Sequence, residues 1–353
     1  MNNSVKEKRC GLINRLFPEG IPKLLCPPLT HYTDEGGIDF GRMEAHLVHL
    51  SQWVKAYLVP GSTGDGWEMN EEEIRQVLGF DLDLAEKLDI QILIGVLRTD
   101  AEASRQSIID TLGWLKERAG IESEDQIIEK TRVCGFTVCP PKGKNFSQAQ
   151  IYSALVPILQ LGMPIALYQL PQVTENEMSP ETVAKLAAEF SNSYLLKDTS
   201  GDDRVAMSGL DLGGVYLVRG AEGDYSKWLR SGGGIYDGFL LSSANCFAQE
   251  ISSVIENVDT GNLSAAEELS ARVTGVVDAV FKRAAGLRAS NLFSYANKAV
   301  DHFYAHGPDA AEIAPPRIYS GERLPTEIIK TASEALTRFR LMPSEGYLST
   351  EKA

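Results

Sequence analysis

The chain reads as an α/β protein, a closed (β/α)8 TIM barrel with additional C-terminal helices. Three observations lead there. Short apolar runs of strand length alternate strictly with longer amphipathic stretches. The runs are predominantly apolar rather than apolar at every second residue, as in a parallel sheet covered on both faces. Eight such runs occur, which suits closure better than an open sheet. The length, 353 residues, accommodates one barrel of this class with extensions at both ends.

The runs are 23–26, 56–59, 92–96, 135–139, 165–168, 194–197, 215–218 and 238–241. Helical stretches separate them, among them 39–53, 70–88, 100–116 and 147–161. Several open on a capping signal: Asn70 before Glu71–Glu73, Ser147 before Gln150, and Ser179 before Pro180 and Glu181. A doubly wound nucleotide-binding sheet would carry G-x-G-x-x-G after its first strand. Here the first run is followed by Pro27, Pro28, Leu29 and Thr30.

This divides the chain into an N-terminal extension, 1–20, a barrel over 21–258 and a C-terminal helical region over 259–353. The acidic stretch 119–130 lengthens the connection before the fourth run, and Pro315, Pro316 and Pro325 punctuate the tail. A late helix has an apolar face of Ile328, Ile329, Ala332, Leu336 and Phe339. That face needs a cover, either the chain's own barrel or a second copy.

Composition narrows the function classes. Hydrophobic residues make up 43% and charged residues 23%, as in a soluble globular protein. A net charge of -14 argues against a nucleic-acid surface, which needs clustered Lys and Arg, but leaves room for a small anionic substrate met by a few local donors. With neither an apolar run of membrane-spanning length nor a signal-type N-terminus, a soluble cytoplasmic protein is expected. The five scattered cysteines, with no C-x-x-C pair, read as reduced, mostly buried thiols. His46 and His49 stand three apart on a helix with no acidic third ligand beside them, so no metal site is expected.

Catalytic groups of a parallel barrel sit where its strands end. The second run ends in PGSTGDG, 60–66, where Ser62 and Thr63 offer hydroxyls beside exposed amides. That is either a small carboxylate-binding nest or a plain glycine-rich turn. The fifth run ends at Tyr168 and the sixth at Lys197. A lysine aimed into an apolar barrel mouth would lose hydration and become a nucleophilic free amine. The alternative is a lysine snorkelling at a strand edge.

Together these segments resemble the dihydrodipicolinate synthase and N-acetylneuraminate lyase family. GSTGD at 61–65 is similar to its G-[ST]-T-G-[ED] loop, PIALYQLP at 164–171 to its P-I-x-L-Y-N-x-P strand, and LLKDTSGD at 195–202 to its Schiff-base K-[DEQ]-[ASTG]-x-G-D. IPKLLCPPLTHYTDEGGID near the start and GFLLSSANCFAQE at 238–250 also fit, in order and at family spacing. The resemblance implies that Lys197 is the Schiff-base lysine, Tyr168 its proton shuttle, and Ser62 and Thr63 the holders of the substrate carboxylate. It implies no metal or organic cofactor, because the imine is itself the electron sink.

Departures from the family narrow the expectation. Where the lysine-pathway synthases carry two tyrosines after the fourth strand, this chain has Pro140, Pro141, Lys142 and Gly143. Where they place an arginine after the fifth strand, it has Gln172 and Val173, and Gln169 replaces the Asn. Ser62, Thr199, Gly220 with Glu222, and Ser242 resemble instead the sugar-acid lyases, whose polar strand ends bind substrate hydroxyls. Arg98, Lys142, Lys144 and Arg219 are candidates to hold a distal anion, and Trp67 and Tyr225 to stack on a substrate face, although solvated loops and ordinary packing explain them better.

The expected function is thus a Schiff-base lyase acting on a pyruvate-derived 2-keto acid, by aldol cleavage or condensation of a 2-keto-3-deoxy sugar acid. Dehydration of a keto-deoxy sugar acid through the same imine, a synthase-like protein of altered activity, and a barrel that only binds are the alternatives. By resemblance the chain is expected to be a homo-oligomer, dimer or tetramer.

Overall fold

Eight parallel strands close on themselves in sequence order, each bonded to the next and β8 back to β1, in a computed structural model that describes residues 3–287 and 291–349. The chain runs α1 (Asn3–Leu16), β1 (Leu24–Cys26), α2 (Phe40–Leu50), β2 (Ala56–Val59), α3 (Glu71–Leu88), β3 (Gln91–Val96) and α4 (Ala101–Ala119). It continues through α5 (Asp125–Lys130), β4 (Val133–Val138), α6 (Gln148–Leu159), β5 (Ile165–Gln169), α7 (Pro171–Thr174), α8 (Pro180–Glu189) and β6 (Ser193–Asp198). The last two barrel units are α9 (Arg204–Met207), β7 (Tyr216–Arg219), α10 (Tyr225–Trp228), β8 (Gly238–Leu240) and α11 (Ala244–Asp259). Beyond them lie α12 (Leu263–Ala285), α13 (Leu292–His306) and α14 (Thr326–Arg338).

The strands lie where the apolar runs place them, with ends shifted by one or two residues; β6 continues one residue past Lys197. The capping signals also hold. The Asn70 side chain accepts from the backbone N–H groups of Glu72 and Glu73 while the Glu73 carboxylate accepts from the Asn70 backbone N–H, and Ser147 and Gln150 form the same reciprocal box.

Side chains alternate between the two sides of each strand. Ala56, Leu58, Leu93, Ala166, Leu195, Val218 and Leu240 fill the barrel interior. Tyr57, Val59, Ile92, Ile94, Phe136, Leu167 and Leu196 pack outward into the helical ring. The N-terminal extension contributes to the interior: Leu16 and Phe17, at the end of α1, join the interior cluster from below. Arg9 on α1 is fully buried and donates to the carbonyl oxygens of Ala187, Phe190, Ser193, Leu212 and Gly213. Two of these lie at the C-terminal end of α8, where helix carbonyls favour a cation.

The acidic stretch 119–130 folds into the short α5, pinned by the buried Ile127. The tail returns over the barrel, and Ile328, Ile329, Ala332 and Leu336 of α14 are all buried within the same chain. Phe339 fills the space above Gly275, where a Cβ would stand 2.3 Å from the ring. The apolar face is covered by its own chain and gives no argument for a second copy. Among the described residues, no helix is long and apolar enough to cross a membrane.

Candidate active site

Register brings the two central residues together. Tyr168 and Lys197 are partners across the β5–β6 pair, so both side chains leave the sheet on the same side, into the upper barrel. Lys197 is 4% exposed, and its Nζ lies 4.2 Å from the centre of the Tyr168 ring. Burial lowers its pKa from the ordinary 10.5 to about 7, against the opposing influence of Cys139, Glu222 and Cys26. A lysine whose pKa is lowered this far carries a substantial free-base fraction at neutral pH.

Tyr168 is also buried, which raises its pKa and keeps the phenol protonated. The Ser62 and Thr199 side chains flank its hydroxyl and pull the other way. Ser62 reaches it from the β2 loop, oriented by a 2.9 Å bond from Trp67 Nε1 to its Oγ. Thr63 is buried in the same loop. Gly64 in this loop has no room for a side chain, since a Cβ would stand 2.5 Å from the Pro28 carbonyl oxygen.

Thr199 and Gly220 meet Lys197 from the other side. A Cβ at Gly220 would lie 2.3 Å from Thr199 Oγ1 and 3.0 Å from Lys197 Cε, so glycine is required for the lysine to occupy its channel. Glu222 follows in the same loop, and its carboxylate is held by four donors. Oε1 accepts from Ser242 Oγ at 2.7 Å and the Ser243 amide at 3.0 Å; Oε2 accepts from Ser243 Oγ at 2.6 Å and Tyr225 Oη at 2.9 Å. Tyr225 is thus a hydrogen-bonding residue rather than a stacking platform. Ser243 was not singled out from sequence, although it adjoins Ser242 in the LSSAN segment.

The wall around Tyr168 is apolar, built from Leu97, Cys139 and Leu170 with Trp67 and Val173 packed against them. Three of the four candidate bases near the mouth meet a carboxylate. Arg219 is gripped by Asp203 at 3.0 and 3.1 Å and lies 4.0 Å over the Trp228 ring. Arg98 pairs with Glu71 and Lys142 with Glu175. The expectation that one of the four holds a distal anion therefore meets a competing carboxylate at Arg219, Arg98 and Lys142, and no such pair forms at Lys144 among the described residues. His46 and His49 are likewise engaged: His46 Nε2 is 2.8 Å from the Asn245 carbonyl oxygen, and His49 stacks on Tyr347.

Lys197 and Tyr168 on neighbouring strands, under a hydroxyl-bearing loop after β2, coincide with a match by sequence: the model of the dihydrodipicolinate synthetase family matches residues 118–294. The chain belongs to that family. As a member it is an enzyme of the lyase class. Among curated relatives, the 4-hydroxy-tetrahydrodipicolinate synthase of Clostridium novyi (strain NT) is 26% identical over 251 residues, 70% of this chain and 77% of that protein. The enzyme of the same name from Buchnera aphidicola subsp. Schizaphis graminum is 27% identical over 257 residues, 72% and 80% of the two chains. Among solved structures, a 2-keto-3-deoxygluconate aldolase variant of Sulfolobus solfataricus, in complex with L-2-keto, 3-deoxy-galactonate, superposes with a TM-score of 0.68. It is 16% identical and covers 90% of this chain and 96% of its own. YagE of E. coli K12, a prophage protein of the dihydrodipicolinic acid synthase family in complex with pyruvate, gives 0.69 at 16% identity, covering 91% and 99%. At such identities the superpositions speak for the barrel.

Proposed function

We propose that this family member is a class I, Schiff-base-forming lyase that cleaves or forms a 2-keto-3-deoxy sugar acid. One observation carries the reading: a buried lysine, its pKa lowered by that burial, stands in register with a buried tyrosine at the mouth of the barrel. Lys197 Nζ attacks C2 of the 2-oxo acid, and loss of water gives the protonated imine. The C4 hydroxyl then gives its proton to Tyr168 Oη as that hydroxyl passes its own to the substrate carboxylate, so no free phenolate is needed. C4 becomes a carbonyl, the C3–C4 bond breaks, and its electron pair is taken up as the enamine nitrogen loses its positive charge. Protonation at C3 restores the imine, and water releases pyruvate. Ser62 and Thr63 hold the carboxylate throughout.

Thr199, Gly220, Glu222 and Ser242 form the side of the mouth that meets substrate hydroxyls. Because four protein donors occupy Glu222, its role is to orient Ser242, whose oxygen lone pairs remain to accept from a ligand hydroxyl. The firm pairing of the buried Arg219 with Asp203 takes that cation out of the distal end, which suits a neutral polyol there. Dehydration through the same imine is the second reading, since it needs the same lysine and tyrosine and differs only in the leaving group. We place the enzyme in the cytoplasm, in keeping with its five unpaired cysteines, and read it as a homo-oligomer.

Borohydride added with pyruvate should reduce the imine and add mass irreversibly at Lys197, and Lys197→Ala should abolish both adduct and turnover while leaving the fold intact. An adduct on another residue, or none, sinks the mechanism. A panel of 2-keto-3-deoxy acids with pyruvate detection then separates cleavage from dehydration, which releases water and no pyruvate.

A further inference from the structure

The Ser62–Thr63 loop is held by residues more than two hundred positions away in the sequence. Asp65, in left-handed backbone with φ 62°, closes the loop. Its buried carboxylate accepts from Tyr32 Oη at 3.0 Å, Asn291 Nδ2 at 3.0 Å and Lys298 Nζ at 3.3 Å. Asn291 Nδ2 also donates to the Ser62 carbonyl oxygen at 2.7 Å. Lys298, on α13, is 1% exposed; its Nζ lies 4.3 Å over the Tyr32 ring and reaches the Arg317 carbonyl oxygen at 3.3 Å. One turn further along α13, Asp301 takes Arg42 Nη2 at 2.6 Å and Tyr347 Oη at 3.0 Å, which fixes the helix itself.

An ammonium group removed from water in this way adds little net stability over an apolar pair of the same shape. What it supplies is a fixed geometry. The Ser62 carbonyl and the Thr63 N–H belong to one peptide unit, planar and trans, so they point in opposite directions. Holding the carbonyl toward Asn291 sets the direction of the Thr63 N–H beside the Ser62 and Thr63 hydroxyls.

We infer that Lys298 and Asn291 are positioning residues for the substrate-carboxylate loop: α13, outside the barrel's eight units, sets the affinity for the 2-oxo acid without touching the reacting atoms. This rests on the reading of Lys197, Ser62 and Thr63 given above. It explains why an asparagine caps α13 beside the loop and why a fully buried lysine follows two turns later.

The test compares Asn291→Ala with the double variant Lys298→Met/Asp65→Asn, which removes both buried charges and leaves none unpaired. The readouts are the pyruvate concentration giving half-maximal borohydride trapping at Lys197, the trapping rate at saturating pyruvate, and the melting temperature. Both variants should raise the half-saturating concentration about tenfold or more, the scale of a lost hydrogen bond to a charged or strained group, while the saturated rate changes less than about threefold. A half-saturation within about twofold of wild type in both variants overturns the inference. Absence of an adduct on the wild-type chain instead overturns the reading of Lys197, a distinguishable result.

Discussion

The free amine of Lys197 should titrate near neutrality, and the rate of imine formation should report it. An ordinary lysine of pKa 10.5 is about 0.03% free base at pH 7, whereas a pKa of about 7 makes that about half, a gain of roughly 1,500-fold. Trapping of pyruvate at subsaturating concentration should therefore rise about tenfold per pH unit up to pH 6 and level off above pH 8. The Glu222 carboxylate opposes the depression, so Glu222→Gln should move the midpoint further down in pH. The same shift sets a stability cost. The unfolded chain keeps lysine protonated up to its ordinary pKa, so the penalty of holding the amine neutral or desolvated is full below pH 7 and fades as pH rises toward 10.5. At pH 7 it amounts to about 4 kcal/mol, at 1.36 kcal/mol per unit, which Lys197→Met should recover as a higher melting temperature. Stopped-flow mixing with borohydride quench, read by intact mass, measures the first profile, and thermal melts at pH 7 and 10 the second. A trapping midpoint near 10, or an upward shift in Glu222→Gln, would refute the argument that burial activates this lysine.

Other outcomes can be stated more briefly. Tyr168→Phe should lower kcat about 10²–10⁴-fold with little change in pyruvate half-saturation, because the ring still packs and only the proton-transfer group is lost; a near-normal kcat would assign the proton to another group. Asp81 on α3 is fully buried, neither carboxylate oxygen has a hydrogen-bond partner among the described residues, and burial raises its pKa to about 8. Its carboxyl must take up a proton to fold, so stability is fully present below its ordinary pKa of 3.8 and is lost as pH rises toward 8. Asp81→Asn should therefore gain on wild type by about 1.4 kcal/mol per pH unit across that window, and a difference independent of pH in denaturant titrations would mean that the carboxyl is partnered. Condensation of pyruvate with aspartate semialdehyde should be absent or very slow, with Lys142 and Val173 in place of the synthases' polar residues; a physiological rate in a coupled assay would mean those loops are misaligned. Light scattering at micromolar concentration should give at least a dimer, and a fully active monomer of 38.6 kDa would remove assembly from the account of the site.

The barrel was legible in the sequence because its signal is local and repeated. Each strand is a short apolar run and each helix opens on its own cap, so Asn70 and Ser147 mark helix starts without reference to anything distant. Lys197 and Tyr168 are proposed from sequence for a related reason. A lysine that ends an apolar run contradicts its surroundings, and such contradictions gather where strands meet a ligand. The distal bases were not legible. Arg219, Arg98 and Lys142 look alike in sequence as cations after strands, and only the placement of Asp203, Glu71 and Glu175 determines what each one meets.

By itself, then, the sequence determined the order of the eight units and the family, whose match spans the motifs at 164–171 and 195–202. Tertiary structure alone decided the electrostatics and the bracing. The lowered pKa of Lys197 comes from burial by strands that close the barrel around it, a property of enclosure and not of any neighbouring residue in the chain. The grip of Asn291 and Lys298 on the Ser62–Asp65 loop spans 226 to 233 positions. No periodicity links such distant residues; they meet only because the C-terminal helices fold back over the barrel.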